Sequence, residues 1–284
     1  MVMTEELRFA DDVELLDFPL RAGLSYRERK EAEFLKTINR GVMLVTGEAG
    51  SGKDLFATFL AALNKYYFAD LFDYTKPRKI LLDFMPKRAF GTYVPFDGQV
   101  MMNEINKMAK AAKMENFTES NDTKEGADFV DEATHKWALE GEGEMLLKGG
   151  YLYLSELKRY CYCRNPHNPF NKFIGSICDV HRHLDLLIVG THIMKEEIDK
   201  STFLAKTSHW AKCEWMVSKA NSTLVKITRG KFYDGSNVWN LQAKPQPMII
   251  DGAKPRAFLN GHRAFDLYPT KNYVNLKPVI RKED

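Results

Sequence analysis

No stretch of the 284 residues approaches the ~20 consecutive apolar side chains that a membrane-spanning helix requires. The N-terminus, MVMTEELRFADDVELLDF, is acidic and has no basic flank leading into an apolar run, so it does not read as a secretory signal. These absences predict a soluble intracellular protein. Cysteine is also scarce. Cys161, Cys163, Cys178 and Cys213 are too few and too scattered for a disulfide framework. The Cys161-x-Cys163 pair near His167 lacks the paired spacing of a structural zinc site, so reduced thiols are expected. His181 and His183 stand two apart and do not share a helix face, which argues against joint metal ligation. No internal repeat is visible. With 44% hydrophobic and 28% charged residues, the composition excludes a disordered or fibrous chain. The length suits one large domain, or one with a small addition.

The net charge of +3 hides an asymmetry. Between Glu115 and Glu144 ten acidic residues face only Lys124 and Lys136, a local −8 that leaves +11 on the rest of the chain. The acidic stretch, 115–146, reads as a solvated insertion or mobile lid with a short helix through Phe129–Leu139. The basic remainder favours a polyanionic partner.

Buried-strand patterns occur at Val42–Thr46, Ile80–Phe84, Tyr151–Leu154 and Leu186–Thr191. Helical patterns lie at Tyr26–Ile38, Lys53–Tyr67, Val100–Lys113 and Asn171–His183. Continuous apolar strands separated by helices predict an α/β fold with a mainly parallel sheet flanked by helices. After Lys212, the segments CEWMV, TLVKITRG and VWNLQA suit an antiparallel extension toward the C-terminus. Five of the eleven prolines fall in the last 40 residues, which read as an extended basic tail. The expected organisation is a helical lead-in (1–40), a core (41–243) and the tail (244–284). The tyrosines 151, 153, 160 and 162 are expected to pack around the acidic segment.

The most informative segment is VMLVTGEAGSGKDLFATFLAAL. A buried strand runs into Gly47-Glu48-Ala49-Gly50-Ser51-Gly52-Lys53-Asp54 and then, from Leu55, into an amphipathic helix. Strand, glycine-rich loop and helix in that order is the setting in which G-x4-G-K means a phosphate-binding loop, or P-loop. Glycines let backbone N–H groups converge on phosphate oxygens, and the helix turns its positive end toward them. Lys53 is placed to neutralise the β- and γ-phosphates of ATP. Position 54, where a Ser or Thr hydroxyl ordinarily ligates Mg²⁺, is Asp. The second motif, GGYLYLSEL, puts Ser155-Glu156 at the end of an apolar strand, where a Walker B motif has Asp-Glu. Hydroxyl and carboxylate thus look exchanged between the two motifs, with Asp54 and Ser155 as the metal pair. Glu156 stands where a base polarising the attacking water belongs. The competing reading is that two altered ligands leave a site that binds nucleotide and barely hydrolyses it.

Together with two segments further along the chain, these residues resemble the FtsK/HerA branch of P-loop ATPases, especially viral genome-packaging ATPases and zonula occludens toxin-like phage assembly ATPases. A helix ending in His181-Arg182-His183 precedes the segment Leu184–His192, which is similar to the family's short loop and strand ending in Thr-Gln. Phe265-Asp266-Leu267-Tyr268-Pro269-Thr270 is similar to an element near the end of that core. The resemblance spans roughly residues 41–274 and implies a P-loop NTPase fold, ATP and Mg²⁺ as ligands, and His192 as the γ-phosphate sensor in place of glutamine. It also implies an arginine supplied by a neighbouring subunit, for which Arg182 and Arg159 are the first candidates and Arg164 the next. The implied activity is an ATP-driven motor translocating double-stranded DNA through non-specific phosphate contacts, with Lys87, Arg88, Lys107, Lys110 and Lys113 as contributors. The implied assembly is a homo-oligomeric ring, pentamer or hexamer, working with a capsid vertex or portal protein in the host cytoplasm or on the virion. The alternatives are a filamentous-phage assembly ATPase, a cellular DNA pump and a nucleotide-binding switch.

Overall fold

The structure is a computed structural model that describes residues 41–54, 56–58, 60–61, 79–84, 92–114, 123–217 and 223–231. The expected lead-in helix, the tail, the VWNLQA strand and the segment 265–270 lie outside the described residues, as do Leu55, Lys87 and Arg88. A seven-stranded sheet forms the centre: β1 (Gly41–Thr46), β2 (Lys79–Leu82), β3 (Thr92–Pro95), β4 (Tyr151–Leu154), β5 (Leu187–His192), β6 (His209–Val217) and β7 (Thr223–Lys231). The strand order is β3-β2-β4-β5-β1-β6-β7. All neighbours pair in parallel except β6 and β7, which are antiparallel. The antiparallel extension is therefore β7. The CEWMV segment lies in β6 and runs parallel to β1, because the chain returns across the sheet before entering it.

Period-two alternation assigns the strand residues to two covered faces. Leu44, Leu81, Leu152, Leu154 and Ile188 join the core formed with α2 (Gly98–Ala111), α3 (Lys124–Glu140) and α5 (Pro169–Val180). Tyr151 and Tyr153 point to the other face. There the Tyr151 hydroxyl donates to the Ala57 carbonyl at 2.8 Å, on the helix that starts at Lys53 (α1). Both tyrosines are fully buried. They therefore anchor the sheet to the P-loop helix and do not pack around the acidic segment.

That acidic segment departs most from expectation. Residues 124–140 form one 17-residue helix, α3, neither short nor a lid. Ala127, Val130, Thr134, Trp137 and Ala138 recur at helical spacing and are buried, Glu125, Asp128, Glu132 and Glu140 are exposed, and half-buried Asp131 accepts from the Ser176 hydroxyl of α5. Trp137 lies against Phe173 of α5 with ring centroids 5.4 Å apart, and Phe173 stacks on Phe96 at 6.2 Å. Thr123 caps α3 by accepting from the Gly126 N–H at 3.1 Å. A short helix, α4 (Glu142–Leu147), follows and leads into β4. α5 begins two residues earlier than its apolar pattern suggests. Asn168 accepts from the Phe170 N–H at 2.8 Å, and Pro169 takes the first helical position, where a missing N–H costs nothing.

Candidate nucleotide site

The parallel strands all present their C-terminal ends at one edge of the sheet, the position at which open α/β sheets bind ligands. β1 delivers the glycine-rich loop there. The Ser51 N–H bonds the Glu48 carbonyl at 3.0 Å, and the Phe56 N–H bonds the Gly52 carbonyl at 2.8 Å to open α1. Gly50 (φ 77°) and Gly52 (φ 84°) are left-handed, a conformation that strains any residue with a Cβ. These two glycines thus turn the loop without storing strain.

Lys53 is buried, at 4% exposure, yet its ammonium faces two carboxylates. Its Nζ lies 3.3 Å from Asp54 Oδ2 and 3.7 Å from Glu156 Oε1. Asp54 Oδ1 accepts from the Tyr153 hydroxyl at 2.9 Å and from Thr191 Oγ1 at 2.5 Å. Ser155 and Glu156 follow directly on β4. Glu156 has φ 47° and ψ 60°, a left-handed conformation costing on the order of 1 kcal/mol for a non-glycine residue. That turn aims its carboxylate back across the loop.

From Glu156 a line of polar contacts runs outward. Glu156 Oε2 is 3.4 Å from His192 Nδ1, and His192 Nε2 is 2.8 Å from Glu197 Oε2. Glu197 Oε1 is in turn 2.8 Å from Lys158 Nζ, which sits 5.0 Å from the Tyr162 ring. His192 is the last residue of β5, is 3% exposed and pairs in register with Thr46 at the end of β1. The His192 ring beside it holds the Glu156 carboxyl below the usual carboxylate range against the opposing cost of burial, and the Lys53 charge adds to it. Glu156 is thereby kept as a carboxylate, the form a water-polarising base requires.

Next to this line is a residue that no sequence motif marks. Asp83, just beyond β2 and 2% exposed, accepts through Oδ2 from the Ser155 N–H (2.7 Å), the Ser155 hydroxyl (2.7 Å) and the Tyr160 hydroxyl (3.1 Å). Burial pushes its carboxyl up to about 7, against the pull of the Ser155 hydrogen bonds and the Arg159 charge. Its Oδ1 is buried with no hydrogen-bond partner, as is Ser51 Oγ. Tyr153, Tyr160, Thr191 and Glu197 are likewise site residues that the sequence does not announce. Tyr153 and Thr191 are brought in by β4 and β5, Tyr160 and Glu197 by the turns that follow those strands, and each becomes legible only once strand order is known.

The two first-ranked arginines part company. Arg159 is exposed and follows Glu156 on the site edge, in the 3-10 turn Leu157–Arg159. Arg182 is exposed in the turn after α5, before the N-terminal end of β5 and so at the opposite edge of the sheet. Arg164 is exposed in the loop before α5. Among the described residues no cluster of His, Cys, Asp and Glu could by itself hold a metal ion, and all four cysteines are free thiols. Nor is any described helix long and apolar enough to cross a membrane.

A glycine-rich loop between β1 and α1, a buried loop lysine, and a carboxylate just past the end of a strand separated from β1 by β5 define an α/β P-loop NTPase fold. Among solved structures, the chain is similar to the N-terminal domain of zonular occludens toxin from Neisseria meningitidis, with 17% identity, TM-score 0.44 and coverage of 81% of this chain and 98% of that one. It is also similar to the genome packaging NTPase B204 from Sulfolobus turreted icosahedral virus 2 in complex with AMPPCP, with 10% identity, TM-score 0.32 and coverage of 64% and 79%. A third likeness is to the Legionella pneumophila ATPase DotB, with 11% identity, TM-score 0.33 and coverage of 85% and 64%. No protein-family model and no curated protein sequence matches the chain.

Proposed function

We propose that this chain is an ATP-driven nucleic-acid motor that couples hydrolysis to the movement of double-stranded DNA into a viral capsid. The observation that carries the ATPase part is the meeting of the glycine-rich loop, Lys53, Asp54, Glu156 and His192 at one sheet edge. The step from ATPase to packaging rests on the sequence resemblance, since a fold hosts many functions.

In this reading the amides of Gly47–Lys53 cradle the phosphates, and Lys53 moves from its carboxylate partners onto the β- and γ-phosphates. The oxygen donors fit Mg²⁺. Asp54 Oδ2 is left clear of the hydroxyls that bind Oδ1, and Ser155 gives its proton to Asp83 and keeps lone pairs free. Asp54 and Ser155 would hold Mg²⁺, which supplies charge neutralisation of the phosphates. Glu156 orients the attacking water and accepts its proton. His192, braced by Glu197, reports whether a γ-phosphate is present. Arg159 or Arg182 of a neighbouring copy completes the site in a ring of five or six subunits.

DNA is gripped through its phosphates by Lys110 and Lys113, exposed at the end of α2, with Lys87 and Arg88. Lys107 is already engaged by Glu104 at 2.7 Å and Glu142 at 3.6 Å, which lessens its share. The partners of such a motor are a capsid vertex or portal protein, and its place is the host cytoplasm or the packaging vertex of the virion. A zonula occludens toxin-like assembly ATPase is the nearest alternative. A nucleotide-binding switch with little hydrolysis is the second alternative.

The test is Mg²⁺-dependent ATP hydrolysis with and without double-stranded DNA, beside Glu156→Gln. The motor requires DNA-stimulated turnover that drops about 100-fold or more in the variant. ATP binding without turnover under any condition would replace the motor with the switch.

A further inference from the structure

The residue after the P-loop lysine is where this site differs most from a neutral hydroxyl ligand, and its surroundings are built for an anion. Asp54 is held from three sides. The Tyr153 and Thr191 hydroxyls donate to Oδ1 at 2.9 and 2.5 Å, and Lys53 Nζ stands 3.3 Å from Oδ2. Its side chain is only 14% exposed. Lys53 is shared with Glu156 at 3.7 Å, so a single ammonium answers two carboxylates and the three side chains sum to a negative charge. The start of α1 adds about half a positive charge, too little to reverse that sign. A bare triphosphate, itself a polyanion, therefore meets a site of its own sign.

We infer that Asp54 makes this site selective for the divalent cation–nucleotide complex and excludes bare nucleotide, so that the cation is required for binding and not only for hydrolysis. The inference rests on the nucleotide-binding reading of this site and adds a specificity to it. A Ser or Thr at position 54 would leave Lys53 against one carboxylate and remove the repulsion. Two like charges a few ångströms apart in a half-shielded site correspond to about a 100-fold change in affinity.

The test is equilibrium binding of ATP to the full chain by calorimetry, in excess Mg²⁺ and in excess EDTA, for the wild type, Asp54→Ser and Asp54→Asn. Thermal melts establish that each variant is folded, and Asp54→Asn keeps the shape should Asp54→Ser fail to fold. The expected result is wild-type binding in Mg²⁺ that weakens about 100-fold or more in EDTA, against a change within about fivefold for the variants. Equal wild-type affinity in both buffers overturns the inference and leaves the nucleotide site standing. The same cation dependence in all three proteins overturns the role of Asp54. No wild-type binding even in Mg²⁺ overturns the nucleotide reading, and the inference with it.

Discussion

If the acidic helix α3 is part of the core, removing Trp137 must be costly, and its neighbour Gly143 must respond in a particular way. Trp137 is 8% exposed and packs its ring on Phe173. Truncating a buried aromatic of this kind to Ala costs about 3–5 kcal/mol. A Cβ built on Gly143 would lie 2.5 Å from two atoms of the Trp137 ring, closer than carbon atoms can approach. Gly143→Ala alone should therefore destabilise by about 1–3 kcal/mol, as the ring is forced off its packing. With Trp137 already shortened, the obstacle is gone. The same substitution should then be neutral or stabilising by up to ~1 kcal/mol, since Ala favours a helix over Gly. The two substitutions are thus coupled strongly enough to reverse the sign of the second. Urea denaturation followed by circular dichroism on the four proteins measures this, with Glu140→Ala on the exposed face of α3 as a control expected within ~0.5 kcal/mol. A Trp137→Ala cost below about 1 kcal/mol would mean that α3 is a loosely attached lid after all. A Gly143→Ala effect unchanged by the loss of Trp137 would refute the contact geometry.

Three further results are expected. Glu197→Gln removes the carboxylate that braces His192 at 2.8 Å, so the turnover number should fall about tenfold with little change in KM for ATP. Unaltered His192 ring ¹⁵N shifts in that variant would show that Glu197 does not position the imidazole. Burial pushes the Cys161 and Cys178 thiols upward, which keeps them protonated at pH ~8 and slow toward iodoacetamide. Half-buried Cys163 should be alkylated first, and peptide mapping showing Cys161 or Cys178 modified ahead of it in the folded protein would contradict the packing around α5. The Glu156→Gln and Asp54 measurements then separate catalysis from binding. The first should abolish turnover and leave ATP bound, whereas the second should collapse the difference in ATP affinity between Mg²⁺ and EDTA.

What can be read from the chain alone is what depends on neighbours in sequence. Strand, glycine-rich loop and helix follow one another from Val42 to the start of α1, so the P-loop, Lys53 and the odd Asp54 are visible without the fold. The same holds for Ser155-Glu156 behind YLYL and for His192 at the end of β5, because each sits at a fixed offset from an apolar run that can only be a buried strand. The resemblance to packaging ATPases rests on such local strings. Strand direction and order are different in kind. The alternation in CEWMV is the same for a parallel and an antiparallel strand, and only the return path of the chain makes β6 parallel to β1. The acidic composition of 115–146 conceals an apolar stripe, since a helix can bury Ala127, Val130, Thr134, Trp137 and Ala138 while its other face holds carboxylates. The partners that set the chemistry arrive from far along the chain: Tyr153 and Thr191 to Asp54, and Asp83 to Ser155. Glu197 is close to His192 in sequence, yet only the turn after β5 brings its carboxylate back onto the ring. Hydrogen bonds act over about 3 Å in space with no regard for sequence separation, so these contacts exist only once strand order and register bring the strand ends together.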